Sequence, residues 1–368
     1  MLDALQNAFF QTGDMLTSRL SAFSSFLWGW PLLILLLGTH LYLTVILRFP
    51  QRYLLKALKL YFVKDHTDKG DISPFSSLMV ALAANIGAGN IIGVGVAIAA
   101  GGPGAIFWCW LTGVLGMATR YSEGLLAIKY RVENKDGNMS GGPMFVLERG
   151  MKCKWLGVLF AVFTAIAAFG IGNLTQGNAA AEQLYHAFSI PAWGTATVLT
   201  ALTALVMLGG IRGIARVCAF FVPVMAVLYI LGCMYILIVQ ADYILPAIRY
   251  ILDCAFTGEA AAGGVVGAAV MTAMRTGVAR GLFSNEAGLG SAAIASAAAQ
   301  NRNPVRQALI SSSGPFWDTV VICALTGIVL TTSIIAHPDI SCSDGSRLTT
   351  LAFSKIPYMG SPLLTLSL

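Results

Sequence analysis

Ala84-Asn85-Ile86-Gly87-Ala88-Gly89-Asn90 interrupts an apolar run from Ile72 to Ala100, and Gly281-Leu282-Phe283-Ser284-Asn285-Glu286-Ala287-Gly288-Leu289-Gly290 interrupts another from Gly263 to Ala299. Each run exceeds the roughly 20 residues that a membrane helix needs. Each cluster puts glycines and polar side chains where such a helix would unwind. Backbone N–H and C=O groups cannot stay unsatisfied at membrane depth, so an unwound segment persists only where protein buries it or where it lines a cavity. The two clusters therefore predict two broken helices around a polar site.

Composition supports the membrane reading. Hydrophobic residues make up 57% of the 368 residues and charged residues 11%, against about 25% charged in a soluble domain. The seven cysteines show no C-x-x-C pair, and His40, His66, His186 and His337 have no ligand spacing, so neither a zinc site nor a metal enzyme is indicated. No paired catalytic motif such as H-E-x-x-H or G-x-S-x-G is present. The net charge of +6 reflects membrane topology rather than nucleic-acid binding, because the basic residues fall in alternate loops.

The spacing predicts an all-α polytopic membrane protein. Residues 1–27 read as an interfacial segment, with Phe9, Phe10, Leu16 and Leu20 on one face and no cleavable signal. An extra N-terminal span, about Trp28 to Leu47, leads to a loop holding Arg48, Arg52, Lys56, Lys59, Lys64 and Lys69, so residues 28–71 form one unit. By the positive-inside rule that loop is cytoplasmic and the N-terminus is outside. Lys129, Arg131, Lys135, Arg149, Lys152 and Lys154 mark the next inner loop, and Arg212 and Arg216 the one after. The outer loop 240–262 holds Asp242, Asp253 and Glu259 against Arg249, and Arg302 and Arg306 mark the inner loop after the second broken span.

The broken spans thus enter from opposite sides, with five core spans between their starts, which is the pattern of a LeuT-type inverted repeat. The first repeat, 72–239, has 168 residues, while 263–368 has 106. The second repeat is therefore expected to be truncated. A polypeptide ending at Leu368 is expected not to transport alone, so a transport-inactive fragment is the alternative reading.

Gly101-Gly102-Pro103-Gly104-Ala105-Ile106-Phe107-Trp108-Cys109-Trp110 resembles the signature of the alanine or glycine:cation symporter family. Gly87-Ala88-Gly89-Asn90-Ile91, Gly141-Gly142-Pro143-Met144, Gly281 through Gly290 and Phe316-Trp317-Asp318-Thr319 resemble that family's other motifs, in its order. The family usually has methionine where Cys109 stands, a change that touches packing more than chemistry. The resemblance covers about residues 27–368. It implies a LeuT-type fold with an extra helix, no cofactor, and sodium-coupled uptake of a small amino acid across a bacterial cytoplasmic (inner) membrane. A monomer is expected.

A zwitterionic cargo needs donors for its carboxylate and acceptors for its ammonium. N–H groups after Gly87, at Ala88 and Gly89, form a partial positive end suited to a carboxylate. Carbonyls at Ala83 and Ile86, with the Asn85 and Asn90 side chains, suit Na⁺. Glycine-mediated helix packing is the competing reading of such runs. Asn173 and Gln176 lie three apart, which on one helical face would aim both at the same interior; Gln176 is the substrate candidate, and amides joining helices are the alternative. Phe283 reads as a wall restricting side-chain size, with Ser284 and Asn285 as polar contacts. Arg120 with Glu123 reads as a structural i,i+3 pair. Glu286 could bond freed backbone, pair with an arginine or gate, and Asp318 could flank an ion path or cap a helix end.

Overall fold

The computed structural model describes residues 2–63, 70–257, 266–340, 345–357 and 359–367, and leaves the side chains of 2–12, 171–172 and 266–268 undescribed. Phe9, Phe10, Lys64, Lys69, Glu259, Gly263 and Leu368 of the sequence reading fall outside that description.

Helices account for most of the described chain. α1 (Leu2–Leu27) and α2 (Trp30–Ile46) are joined by a short turn, and α3 (Leu54–Leu60) follows. α4 (Pro74–Asn85) and α5 (Ala88–Gly101) meet at a 51° bend. α6 (Ala105–Lys129) leads to a two-stranded hairpin, Val132–Glu133 with Met139–Ser140. α7 (Lys154–Phe188) contains a π-helical stretch, Ala168–Leu174. α8 (Ala192–Leu208), α9 (Gly210–Val239) and α10 (Ile244–Phe256) complete the first part. The rest comprises α11 (Val266–Asn285), α12 (Ser291–Ala297), α13 (Pro304–Ala336), α14 (Leu348–Phe353) and α15 (Gly360–Ser367). Among the described residues four helices are long and apolar enough to cross a membrane, or five if the bent α4–α5 pair is one span.

The elements start and stop for local reasons. Ser73 accepts the Ser76 N–H at the start of α4, and Asn303 accepts the Val305 and Arg306 N–H groups at the start of α13, each followed by proline in the first turn. After α11 the chain passes through Glu286 (φ 51°), Gly288 (φ 94°) and Gly290 (φ 80°) before α12. Two glycines carry most of that left-handed excursion at little cost.

The core holds the broken helices between α6, α9 and α13. Leu78, Leu82, Ile86 and Ile91 of the first pack with Tyr229, Cys233 and Ile236 of α9 and with Ile322 and Val329 of α13. α11 lies so close to α6 that a Cβ at Gly277 would overlap the Ala105 carbonyl, and one at Gly281 would overlap the Thr112 hydroxyl. Small residues permit this approach, as is usual where apolar solvent gives helices no hydrophobic reason to associate.

Gly277→Val should therefore lower stability by roughly 1–3 kcal/mol or more, because backbone cannot be moved aside as a side chain can. Thermal unfolding followed by size-exclusion chromatography in detergent would show a clearly lower midpoint or loss of the monodisperse peak.

Candidate functional site

The two breaks face each other. The last in-helix bond of α4 runs from the Ile86 N–H to the Leu82 carbonyl, which leaves the carbonyls from Ala83 onward without an in-helix donor. Across the gap, the Asn85 amide donates to the Asn285 carbonyl at the end of α11, at 3.2 Å. The Ser284 hydroxyl lies 3.1 Å from Asn90 Oδ1. The two interrupted runs, about 200 residues apart in sequence, thus form one polar centre.

Its residues fall into two layers. Ala83, Ala88, Gly89, Gln176 and Phe283 are partly exposed, whereas Asn85, Asn90, Ser284, Asn285, Asp318 and Thr319 are buried behind them. In the outer layer the Ala88 N–H donates to Gln176 Oε1 at 3.2 Å, and a Cβ on Gly89 would stand 3.9 Å from the Phe283 ring. In the buried layer Asn285 donates to Thr319 Oγ1 at 3.2 Å, and its own Oδ1 accepts the Ala287 N–H at 3.0 Å. Asn85 Oδ1 is buried and has no partner.

The sequence-derived residues distribute accordingly. Ala88, Gly89, Gln176 and Phe283 lie on the open side with Gly87 buried beside Gln176, while Ser284 and Asn285 join Asn85 and Asn90 in the buried layer. Asn173 is exposed and does not share Gln176's surroundings. The π-helical turn ending at Leu174 changes the phase on which the three-residue spacing relied.

For two carboxylates the structure removes one of the alternative readings. Asp318 does not cap a helix end; it lies within a π-helical stretch, Phe316–Cys323, and its carboxylate accepts from Asn90 at 2.6 Å, Thr319 at 2.7 Å and Ser284 at 2.9 Å. Glu286 does not bond the backbone freed by the second break. Its carboxylate accepts from Ser291, and the freed N–H groups of Gly288 and Gly290 are taken by Glu123 Oε1 at 2.9 and 3.1 Å. Glu123 also faces Arg120 at 3.7 Å, so the i,i+3 pair holds the second break as well as α6. The signal for these carboxylates was their position inside apolar spans; Asn90 and Ser284 for Asp318, and Gly288 and Gly290 for Glu123, lie too far along the chain for local reading to supply.

At the other end of the broken helices a latch joins them. The Asp71 and Ile72 N–H groups donate to the Ala298 carbonyl at 2.8 and 3.2 Å, and the Gln300 N–H to the Ile72 carbonyl at 2.7 Å. Arg131 donates to the carbonyls of Ala297, Ala299 and Asn301 at 2.7–3.0 Å.

The model of the sodium:alanine symporter family matches residues 13–368. The chain belongs to that family. It is 52% identical over 341 residues to an uncharacterized transporter of Haemophilus influenzae, covering 92% of this chain and 74% of that protein. It is 48% identical over 359 residues to the sodium/alanine symporter AgcS of Methanococcus maripaludis, covering 95% and 78%. The amino-acid carrier protein AlsT of Bacillus subtilis is similar at 35% over 308 residues, 83% of this chain and 65% of that protein. A family of symporters accounts for a chain with apolar spans and a buried polar centre. This is a multi-pass membrane protein of a sodium-coupled transporter family.

Glu123→Ala should destabilise the second break by about 1–3 kcal/mol, since two N–H groups lose their acceptor. Glu123→Gln, which keeps an acceptor oxygen, should retain more of the stability, and thermal unfolding of the two variants would separate them.

Proposed function

We propose that the protein couples inward sodium movement to uptake of a small neutral amino acid, alanine before glycine, by alternating access across a bacterial cytoplasmic membrane. The observation that carries this reading is the facing pair of breaks with one partly exposed and one buried polar layer. The name of the AgcS relative favours alanine and sodium.

In this reading the cargo carboxylate takes the N–H groups of Ala88 and Gly89. Gln176 now accepts from Ala88; it would yield that N–H to the carboxylate and turn its amide toward the cargo. Phe283 stands across from Gly89 and limits the side chain to about a methyl group, because a larger one would meet the ring. Sodium would lie on the Ala83 and Ile86 carbonyls and the Asn85 and Asn90 side chains, where the unpartnered Asn85 Oδ1 gives a hard cation an available oxygen.

Alternation would follow from a LeuT-type inverted repeat. Arg131 sits at the latched end, and Arg306 donates to the Val63 carbonyl near it. By the positive-inside rule this end is cytoplasmic and the N-terminus outside. The latch would then close the inner side while Gly89, Gln176 and Phe283 remain reachable from outside. Sodium would bind first and steady the first break, the amino acid would follow, and parting of the latch would release both inward.

Gly89→Leu should abolish sodium-dependent alanine binding by the purified protein while the variant still reaches the membrane. Phe283→Ala should instead admit larger neutral side chains, with alanine binding weakened by roughly tenfold or less. Radioligand binding with competing amino acids reads both; undiminished alanine binding by Gly89→Leu contradicts the site.

A further inference from the structure

α6 and α13 pass each other at very close range. A Cβ on Gly113 would stand 2.7 Å from the Thr319 Cβ, and one on Gly327 would stand 2.5 Å from an Ile106 methyl. Numbers rise along one helix as they fall along the other, so the pair is antiparallel. Cys109 lies between Ile106 and Gly113, and Cys323 between Thr319 and Gly327. The same register therefore brings these two cysteines face to face.

Their side chains meet there: the Cys109 and Cys323 thiols are hydrogen-bonded to each other. Both are free thiols and both are buried. Val94, Ile98, Ile106 and Leu330 belong to the same apolar cluster. On the remaining side Cys323 Sγ is 3.3 Å from Ser284 Oγ, at the end of α11. Two sulfurs in an apolar wall are poor ligands for a hard ion and well matched to a soft one. A divalent soft ion held by two thiolates also carries no net charge, which avoids the cost of burying a charged complex.

We propose that Cys109 and Cys323 form a binding site for a soft, two-coordinate metal ion such as Hg²⁺, and that its occupation inhibits amino-acid binding. Two metal–sulfur bonds form, the two thiol protons leave to solvent, and no oxidant or reductant takes part. The bridge ties α6 to α13 and fixes Cys323 beside Ser284, so the second break loses freedom to adjust to cargo. Cys109 then carries chemistry as well as packing, because methionine in its place offers only a neutral thioether. The site stands without the transport reading; its inhibitory effect rests on that reading.

The test treats the purified full chain with mercuric chloride and then washes it with a monothiol. Mercury held by one cysteine is stripped, whereas a bridged ion resists because both bonds must break together. Elemental mass spectrometry then counts the metal retained by the native protein and by Cys109→Met. The native protein should retain more mercury per chain than the variant. Its sodium-dependent alanine affinity should fall by roughly tenfold or more, within the ordinary range of coupling between sites, while that of treated Cys109→Met stays near its untreated value. Equal retention by the two proteins overturns the site. Greater retention by the native protein with unchanged alanine affinity overturns the inhibition. If the untreated native protein binds no alanine, the transport reading and the inhibition fall together, and the mercury count still decides the site. Should Cys109→Met fail to fold, Cys323→Ala decides by the same count.

Discussion

Everything in this molecule follows from the demand that backbone polar groups find partners in an apolar solvent. Two helices stop within the core, and each leaves carbonyls on one side and N–H groups on the other. The chain meets that demand with side chains from elsewhere: Gln176 for the Ala88 N–H, Glu123 for Gly288 and Gly290, and Asn85 for the Asn285 carbonyl. These partners come from α6, α7 and the opposing break, so the breaks cannot exist without the bundle around them. The glycines at 277 and 281 bring α11 against α6 closely enough for the arrangement to close.

The same demand separates the site into layers. Groups that answer to the fold are buried and engaged, while Gly89, Gln176 and Phe283 are only partly buried. The buried layer still contains an acceptor without a partner, Asn85 Oδ1. An ion there and an amino acid in front of it would share Asn90, Gly89 and the short helical turn between them, which is a direct physical route for coupling.

Much of this was legible in the sequence because glycine and amide clusters inside apolar runs have few meanings in a membrane. The breaks fall inside the quoted stretches, and the residues picked from them share one centre. Reading failed where a partner was distant or a period changed. Asn173 was placed beside Gln176 by a 3.6-residue rule that a π-helical turn suspends. Asp318 stayed open between flanking an ion path and capping a helix because its three partners, Asn90, Ser284 and Thr319, include two from other spans. Glu123 forms the expected i,i+3 pair with Arg120, and the N–H groups it also holds lie about 165 residues away, beyond local reading.

The central claim is that one centre binds sodium and amino acid together. Its most direct test is reciprocal linkage in the purified protein, measured as alanine affinity at rising sodium and as sodium affinity at rising alanine. The account predicts that each ligand tightens the other by the same factor, on the order of 5- to 150-fold. Alanine affinity that is identical in sodium and in potassium would contradict it.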